Sequence, residues 1–420
     1  MLFNVPRWPV MRPTYLGFVL YLCAGFADGM VVPFFPLWAQ SEANIAVGFI
    51  GLLFGCYAGG ELIATPLVGG IADRIGRRPV LIASSFGVGL GFIALYFTHG
   101  VIEVACVLVG IGMCESVLHP TIASVIVDTT PVTEHRRQFS LARVSSSIGS
   151  VAGPAAGAML VSMSLGSVFI AAGIALLAGS MLTLLSFSET RSVVTVADDD
   201  DDEGLSALLP AFRDRRLSAL LLWFMLLEIS ASWIEAVLPL YAHDTAALTA
   251  SEIGFLFTYG AALIALAQLP LTRLVAQRSA LSLILMAGGV MVLAFVILIG
   301  SSTLTAMIAA MSLFSISQML TGPLVPTAVN ELALPNLRAT YMAATSVASD
   351  FRDSIGPATG TALYAASSLL PWMLGIPFAV IAAAGLGGTI ARQQRPPKQP
   401  SDRKDEAKKR AESVRICGLR

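Results

Sequence analysis

The sequence predicts an all-α membrane protein: twelve transmembrane helices in two parallel six-helix repeats. Three observations carry this. Of 420 residues, 55% are hydrophobic and only 13% are charged, whereas a soluble domain has about 25% charged residues. Twelve apolar runs each reach the length of about 20 residues that a helix needs to cross a bilayer core. Short stretches of the first half also recur, in the same order, in the second. A single soluble core rarely grows past roughly 250–300 residues, so a soluble fold cannot hide this much apolar sequence.

The runs lie near 14–38, 46–70, 79–98, 102–127, 138–161 and 165–187. In the second half they lie near 217–241, 252–272, 280–300, 303–327, 340–364 and 369–391. The first follows Arg7 and Arg12 and is too long for the core of a signal peptide. Gly and Pro within the runs argue less against helix than they would in water, because neighbouring helices re-satisfy freed backbone groups. With the N-terminus placed inside, every inter-run Lys and Arg falls on the inside, including Arg77, Arg78, Arg136, Arg137, Arg273, Arg278 and Arg338. The outside loops carry Glu42, His99, Glu103, His243, Asp244 and Glu252 but no Lys or Arg. That asymmetry predicts a multi-pass protein of the plasma (bacterial-type inner) membrane with both ends cytoplasmic.

Domain organisation follows from the acidic stretch ADDDDDEG (Ala197–Gly204). It reads as a solvated linker and divides the chain into a six-helix half over 1–187, a cytoplasmic linker over 188–216, a second half over 217–391 and a basic cytoplasmic tail over 392–420. The halves are self-similar. FIGLLF (Phe49–Phe54) matches EIGFLF (Glu252–Phe257), FPLWA (Phe35–Ala39) matches LPLYA (Leu238–Ala242), and HPT (His119–Thr121) matches VPT (Val325–Thr327). PLVGGIADR (Pro66–Arg74) matches PLTRLVAQR (Pro270–Arg278), and GPAAG (Gly153–Gly157) matches GPATG (Gly356–Gly360). The offset stays between 203 and 206 throughout. An even number of spans per half makes the repeats parallel, related by an axis along the membrane normal.

Two motifs stand out. GGIADRIGRRPVL (Gly69–Leu81) sits between spans 2 and 3. Gly69 and Gly76 permit close backbone approach or positive φ, Pro79 suits a first helical turn, and Asp73 can accept bonds from Arg74, Arg77 or Arg78 or from a helix N-terminus. In span 5, Ser145, Gly149, Gly153 and Gly157 recur every fourth residue and form one ridge of small side chains. Such ridges let helix backbones approach closely, and Pro154 loosens this one. Gly51, Gly55 and Gly59 form a similar packing ridge on span 2.

The first motif resembles the signature loop of the major facilitator superfamily, G-x-L-a-D-r-x-G-r-r/k-x-x-l, with Ile71 for the usual Leu. GSVAGPAAGA (Gly149–Ala158) resembles the antiporter motif G-x-x-x-G-P-x-x-G-G, with Ala158 for the last Gly. ADGMVVPFFP (Ala27–Pro36) resembles the span-1 signature of the drug:proton antiporter branch. The resemblance spans all twelve runs. It implies that Gly69, Asp73, Arg74, Gly76, Arg77 and Arg78 latch the halves together on the inside in the outward-open state. It implies that spans 1, 4, 7 and 10 line a central cavity. It also implies an exporter that exchanges its cargo for protons. One departure matters: the span-4 Arg often found in such exporters is replaced by Cys106.

Ionisable groups at membrane depth cost several kcal/mol and are functional candidates by default. Asp28, Glu115, Glu228, Glu235 and Glu61 are the candidates for binding protons or substrate; the first four fall on cavity spans. Arg143, Asp350, Arg352 and Asp353 are read as an ion-paired gating cluster bridging the halves. His119 is either a relay or a satisfied buried histidine. Trp223, Trp233, Phe34, Phe35, Trp38 and Tyr241 offer aromatic surface to a cation, although Trp38 and Tyr241 also suit interface anchors. Cys23, Cys56, Cys106 and Cys114 read as small buried hydrophobes.

An acid-rich cavity suits proton binding, cation binding or competition between them. The leading expectation is therefore a proton-coupled antiporter exporting small hydrophobic or cationic compounds by alternating access. A proton symporter or uniporter for a metabolite is the alternative, and a non-transporting receptor or scaffold on the same fold is the third class. No nucleotide loop, nucleophile triad or metal-ligand spacing occurs, so neither enzyme activity nor a cofactor or metal is expected. The partners are a small-molecule substrate, protons and the lipid bilayer. The net charge of −1 gives no reason to expect nucleic acid. A monomer is expected.

Overall fold

The computed structural model describes residues 13–186, 212–333 and 338–393; the side chains of 65–74 and of Asp350 are not among those described. The acidic run and the basic tail lie outside the described residues. Among those residues the chain is all-α. The first half contains α1 (Pro13–Val31), α2 (Phe35–Ser41), α3 (Val47–Ile75), α4 (Arg77–Tyr96), α5 (Val101–Thr129), α6 (His135–Leu160) and α7 (Ser167–Ser186). The second contains α8 (Arg215–Ala246), α9 (Ala250–Val275), α10 (Ala280–Gly300), α11 (Leu304–Leu332), α12 (Arg338–Ala366) and α13 (Leu370–Gln393).

Two boundaries differ from the sequence reading. The first run is broken into α1 and α2 by a turn at Val32–Phe34. Pro33 lacks the amide hydrogen that would continue the α-helical ladder and Pro36 restarts a helix in its first turn. The Gly69–Leu81 stretch is not an extended loop. Helix α3 runs on to Ile75, Gly76 breaks it at φ 103°, and α4 starts at Arg77 with Pro79 in its first turn. The reversal is therefore confined to one residue, and glycine accommodates that φ without strain.

Ten of the helices are long and apolar enough to span a membrane by composition alone. The two long helices that fall short are α6 and α12, which carry charged and small polar residues. Their position gives the reason. Helix α6 packs across the half boundary on α9, and α12 packs across it on α3. Within the halves, α1 pairs with α6 as α8 pairs with α12, and α4 pairs with α7 as α10 pairs with α13. The principal pairings in one half have their counterparts in the other, as the repeated segments predict.

Missing side chains make the tightest seams. A Cβ on Gly149 would overlap the Leu22 carbonyl, and one on Gly153 would overlap the Phe26 carbonyl. Conversely, a Cβ on Gly29 would come within 2.8 Å of the Ser150 carbonyl oxygen. The span-5 ridge is thus the α1–α6 seam. The repeat conserves the device: Gly356 and Gly360 on α12 lie against Ser232 and Trp233 of α8.

The halves touch at the arginine-free face and part toward the face that carries Arg77 and Arg78. Helix α3 records the change. A Cβ on Gly51 would overlap the Ala358 Cα of α12, one on Gly55 would meet Ser354 Oγ at 3.3 Å, and one on Gly59 would meet nothing within 4 Å. On the second seam, Ser251 Oγ donates to the Ala158 carbonyl at 2.6 Å, and the ring of Phe34 lies against Gly254.

Candidate functional site

The N-terminal half gathers Asp28, Glu61 and Glu115 into one cluster. Helix α3 presents Tyr57 and Glu61 one turn apart, and α5 presents Glu115 and His119 one turn apart. Residues four apart share a helix face. Gly112 lets α5 close directly on the Tyr57 carbonyl, and Gly60 lets α3 close on that of Val109. With the backbones this near, the Tyr57 hydroxyl donates to Glu115 Oε2 at 2.8 Å and to Glu61 Oε1 at 3.3 Å. His119 Nε2 lies 3.5 Å from Glu115 Oε1, and its ring stacks on Tyr21 at 5.8 Å. Asp28 joins Glu115 and His119 from the middle of α1.

The donor atoms of Asp28, Glu115 and His119 lie within 4.8 Å of one another, close enough for one cation. Sequence spacing gave no sign of this set, because Asp28 comes from a helix distant in the chain.

The C-terminal half builds a different cluster. Arg352 Nη1 donates to Glu228 Oε2 at 3.0 Å, and Arg352 Nε and Nη2 donate to Asp353 Oδ1, the former at 2.7 Å. Of the gating cluster expected from the sequence, Arg352 and Asp353 pair, Glu228 joins them, and Arg143 has no ion pair with them among the described residues. Arg143 is exposed on α6, whose partner across the boundary is α9, whereas Arg352 and Asp353 stand on α12, whose partner is α3. The side chain of Asp350 is outside the described residues.

Between the halves lies a cavity of about 430 Å³. Asp28, Tyr57, Glu61 and Glu115 border it from one side, and Glu235, Arg352 and Asp353 from the other. Phe35, Phe54 and Phe92 supply aromatic surface. A second lobe of about 270 Å³ is more apolar, with Phe257, Met311 and Phe314 in its wall. Asp28 and Glu235 border both lobes, so they stand where the lobes meet. Acids outnumber bases around this space, and Arg352 is the one arginine or lysine in its described lining.

Of the aromatic residues offered by the sequence, only Phe35 lines the larger lobe. Trp38 is buried edge-on against Phe169 at 4.8 Å, and Tyr241 is buried and donates to the Leu298 carbonyl at 2.8 Å. Neither is an interface anchor. Trp233 is buried against α12, donating to Thr359 Oγ1 at 2.9 Å, and Trp223 packs on Gly385. Sequence reasoning missed Tyr57, although it was findable, since it lies one turn before Glu61 on the same face.

In the signature stretch, Arg77 Nε donates to Asp128 Oδ2 at 3.3 Å and Arg78 Nη2 to the Leu184 carbonyl at 2.7 Å. Both of these partners belong to the same half. The side chains of Asp73 and Arg74, and the surroundings of Gly69, are outside the described residues.

Comparison with known proteins agrees with this architecture. The family model described as Major Facilitator Superfamily matches residues 17–357. A class E tetracycline resistance protein of Escherichia coli is 27% identical over 52% of this chain and 55% of its own length. The chain thus spans about half of that relative. A multidrug resistance protein MdtH of Aeromonas hydrophila is 24% identical over 85% of this chain and 88% of its own. The crystal structure of a mutant of the nucleoside transporter NupG superposes with a TM-score of 0.76 at 11% identity, covering 90% of this chain and 99% of that one. That likeness concerns the fold alone.

Proposed function

The chain belongs to the Major Facilitator Superfamily, and on that premise we propose that this membrane transporter is a proton-coupled antiporter that exports small hydrophobic or cationic compounds. The observation that carries the reading is the carboxylate excess around a closed-ended central cavity. Asp28 stands beside Glu115 and His119 and borders both lobes. A carboxylate in such a place holds either a proton or an organic cation. Protonation discharges the cation, and loss of the proton recruits the next. Exchange then requires only that the site face one side of the membrane at a time.

The arginine-bearing face is the cytoplasmic one, by the Lys/Arg asymmetry of the loops. The conformation described is then inward-open, sealed outside at Gly51 and Ser251. The sequence similarity to tetracycline and multidrug resistance proteins supports an exporter. The similarity to a nucleoside transporter, at 11% identity, supports no substrate.

The test is reconstitution into proteoliposomes with an imposed pH gradient, a panel of organic cations, and a trapped pH dye. Antiport predicts that cation entry into an acidic lumen is accompanied by lumenal alkalinisation. Protons moving in the same direction as the solute would establish the symport alternative instead, and flux indifferent to the gradient would establish a uniporter.

A further inference from the structure

The two lobes of the cavity back onto different seams between the halves. The lobe of about 430 Å³ is walled by Phe54, Tyr57 and Glu61 of α3 and by Arg352, Asp353 and Pro357 of α12. The lobe of about 270 Å³ is walled instead by Ser150 and Pro154 of α6 and by Phe257, Gly260, Ala261 and Ile264 of α9. Helices α3 and α12 thus give their lobe two carboxylates and a guanidinium, whereas α6 and α9 give theirs no charged group. Toward the outside the α6–α9 seam is shut, by Ser251 on the Ala158 carbonyl and by Phe34 on Gly254. Toward the arginine-bearing face it is open. The buried residues of α9 are Ile253, Gly254, Leu256 and Gly260, and none from Ala261 to Val275 is buried. On α6, Ala142 is the one buried residue among those described from His135 to Ile148. Leu266, Leu269 and Leu274 of α9 are each more than two-thirds exposed.

We infer that the gap between α6 and α9 is a lateral portal, through which lipophilic cargo dissolved in the inner leaflet enters the smaller lobe. This rests on the exporter reading and deepens it by assigning the route and the substrate class, compounds that partition into the bilayer. An apolar body that enters between α6 and α9 keeps its surface out of water from leaflet to lobe. The small side chains of Ser150, Gly260 and Ala261 leave room for it. The α3–α12 gap is unsuited to the same passage, because Glu61, Arg352 and Asp353 would lose water as an apolar body went by, and uncompensated desolvation of charge is costly. The arginines nearest the smaller lobe, Arg143 of α6 and Arg273 of α9, lie on its cytoplasmic side. There they suit anionic headgroups at the mouth of the portal. The Ser251 seal stops the gap short of the outer leaflet, so loading takes place from one leaflet.

Spin labels on the full-length protein in liposomes test the portal without any assumption about cargo. In a background free of native cysteines, labels go at Ser147 of α6 and Ala265 of α9, both exposed, and at Gly59 of α3 in the other gap. Molecular oxygen concentrates in the bilayer and a nickel chelate stays in water. The labels at Ser147 and Ala265 should relax faster with oxygen, and the label at Gly59 faster with the nickel chelate. Preference for the nickel chelate at all three positions means that the α6–α9 gap is filled with water and overturns the portal. Flux of the lipophilic ion tetraphenylphosphonium in proteoliposomes adds the functional arm. Ser147→Trp, one turn from the lobe-lining Ser150, should cut flux at least fivefold while binding to the detergent-solubilised protein stays within twofold. Gly59→Trp places the same ring in the α3–α12 gap and should keep flux within twofold. Gel filtration checks that each variant is folded, and the label series decides by itself if Ser147→Trp is not. The reverse pattern of flux, or a binding loss in Ser147→Trp equal to its flux loss, overturns the portal and leaves an exporter in place. Absence of tetraphenylphosphonium flux in the wild-type protein counts against the exporter reading, and the labels alone then decide the portal.

Discussion

Gly51 and Thr361 meet across the boundary between the halves: the Gly51 amide donates to Thr361 Oγ1 at 3.0 Å in a buried contact. The residues belong to helices that repeat symmetry does not make partners within a half, α3 and α12. Their contact exists only while the arginine-free face is shut. Ten residues along α3 from Gly51, at Glu61, the same helix lines the cavity.

Gly51→Leu is therefore expected to prop that face open. Its Cβ alone would overlap the Ala358 backbone, and an overpacked contact costs about 1–3 kcal/mol, enough to shift a two-state balance roughly 5- to 160-fold. Spin labels at the exposed positions Ser162 and His243, in a background without native cysteines, read the distance between halves at this face. A longer population should dominate in Gly51→Leu. An unchanged distribution would mean that the contact does not govern closure.

Gly153→Leu is expected to abolish transport through the α1–α6 seam rather than through the half boundary. The substitution drives a side chain into the Phe26 carbonyl, so the thermal midpoint should fall along with activity. Gly59→Ala is the control, because its Cβ meets nothing within 4 Å. Retained flux and midpoint in Gly153→Leu would refute the seam.

The architecture was legible because its determinants are periodic. Apolar run lengths located the helices, and recurring segments such as Gly153–Gly157 and Gly356–Gly360 located the repeat. Positions within helices were partly legible: the span-5 ridge is where two backbones meet, whereas the span-2 ridge is in contact at Gly51 and Gly55 but open at Gly59. What stayed hidden is which helix faces oppose one another. Arg352 was read as a gate partner of Arg143, because nothing in one sequence says that α6 and α12 belong to opposite seams. Trp38 and Tyr241 look like interface anchors from their places at span ends, yet both are buried by α7 and α10 neighbours. The Asp28–Glu115–His119 grouping likewise depends on the angle at which α1 crosses α5, which residue spacing does not encode.

Asp73→Asn is expected to cut transport at least tenfold with the thermal midpoint unchanged. The reasoning is the resemblance of Gly69–Leu81 to the family's signature segment. In the conformation described, Arg77 bonds Asp128 and Arg78 bonds the Leu184 carbonyl. Normal flux in a folded Asp73→Asn protein would refute the latch.

The central claim is that intramembrane acids couple cargo to protons, with Asp28 at the junction as the coupling group. The most direct measurement is cation accumulation in proteoliposomes under an imposed pH gradient, for Asp28→Asn, Glu115→Gln, Glu228→Gln and Glu235→Gln side by side. Asp28→Asn preserves the side-chain shape and removes the titration, so it should still let cation equilibrate down its own gradient but accumulate none uphill. Full gradient-driven accumulation in Asp28→Asn, with its loss in one of the Glu variants, would move the coupling site to that glutamate. Coupling retained in all four would contradict the antiport mechanism itself.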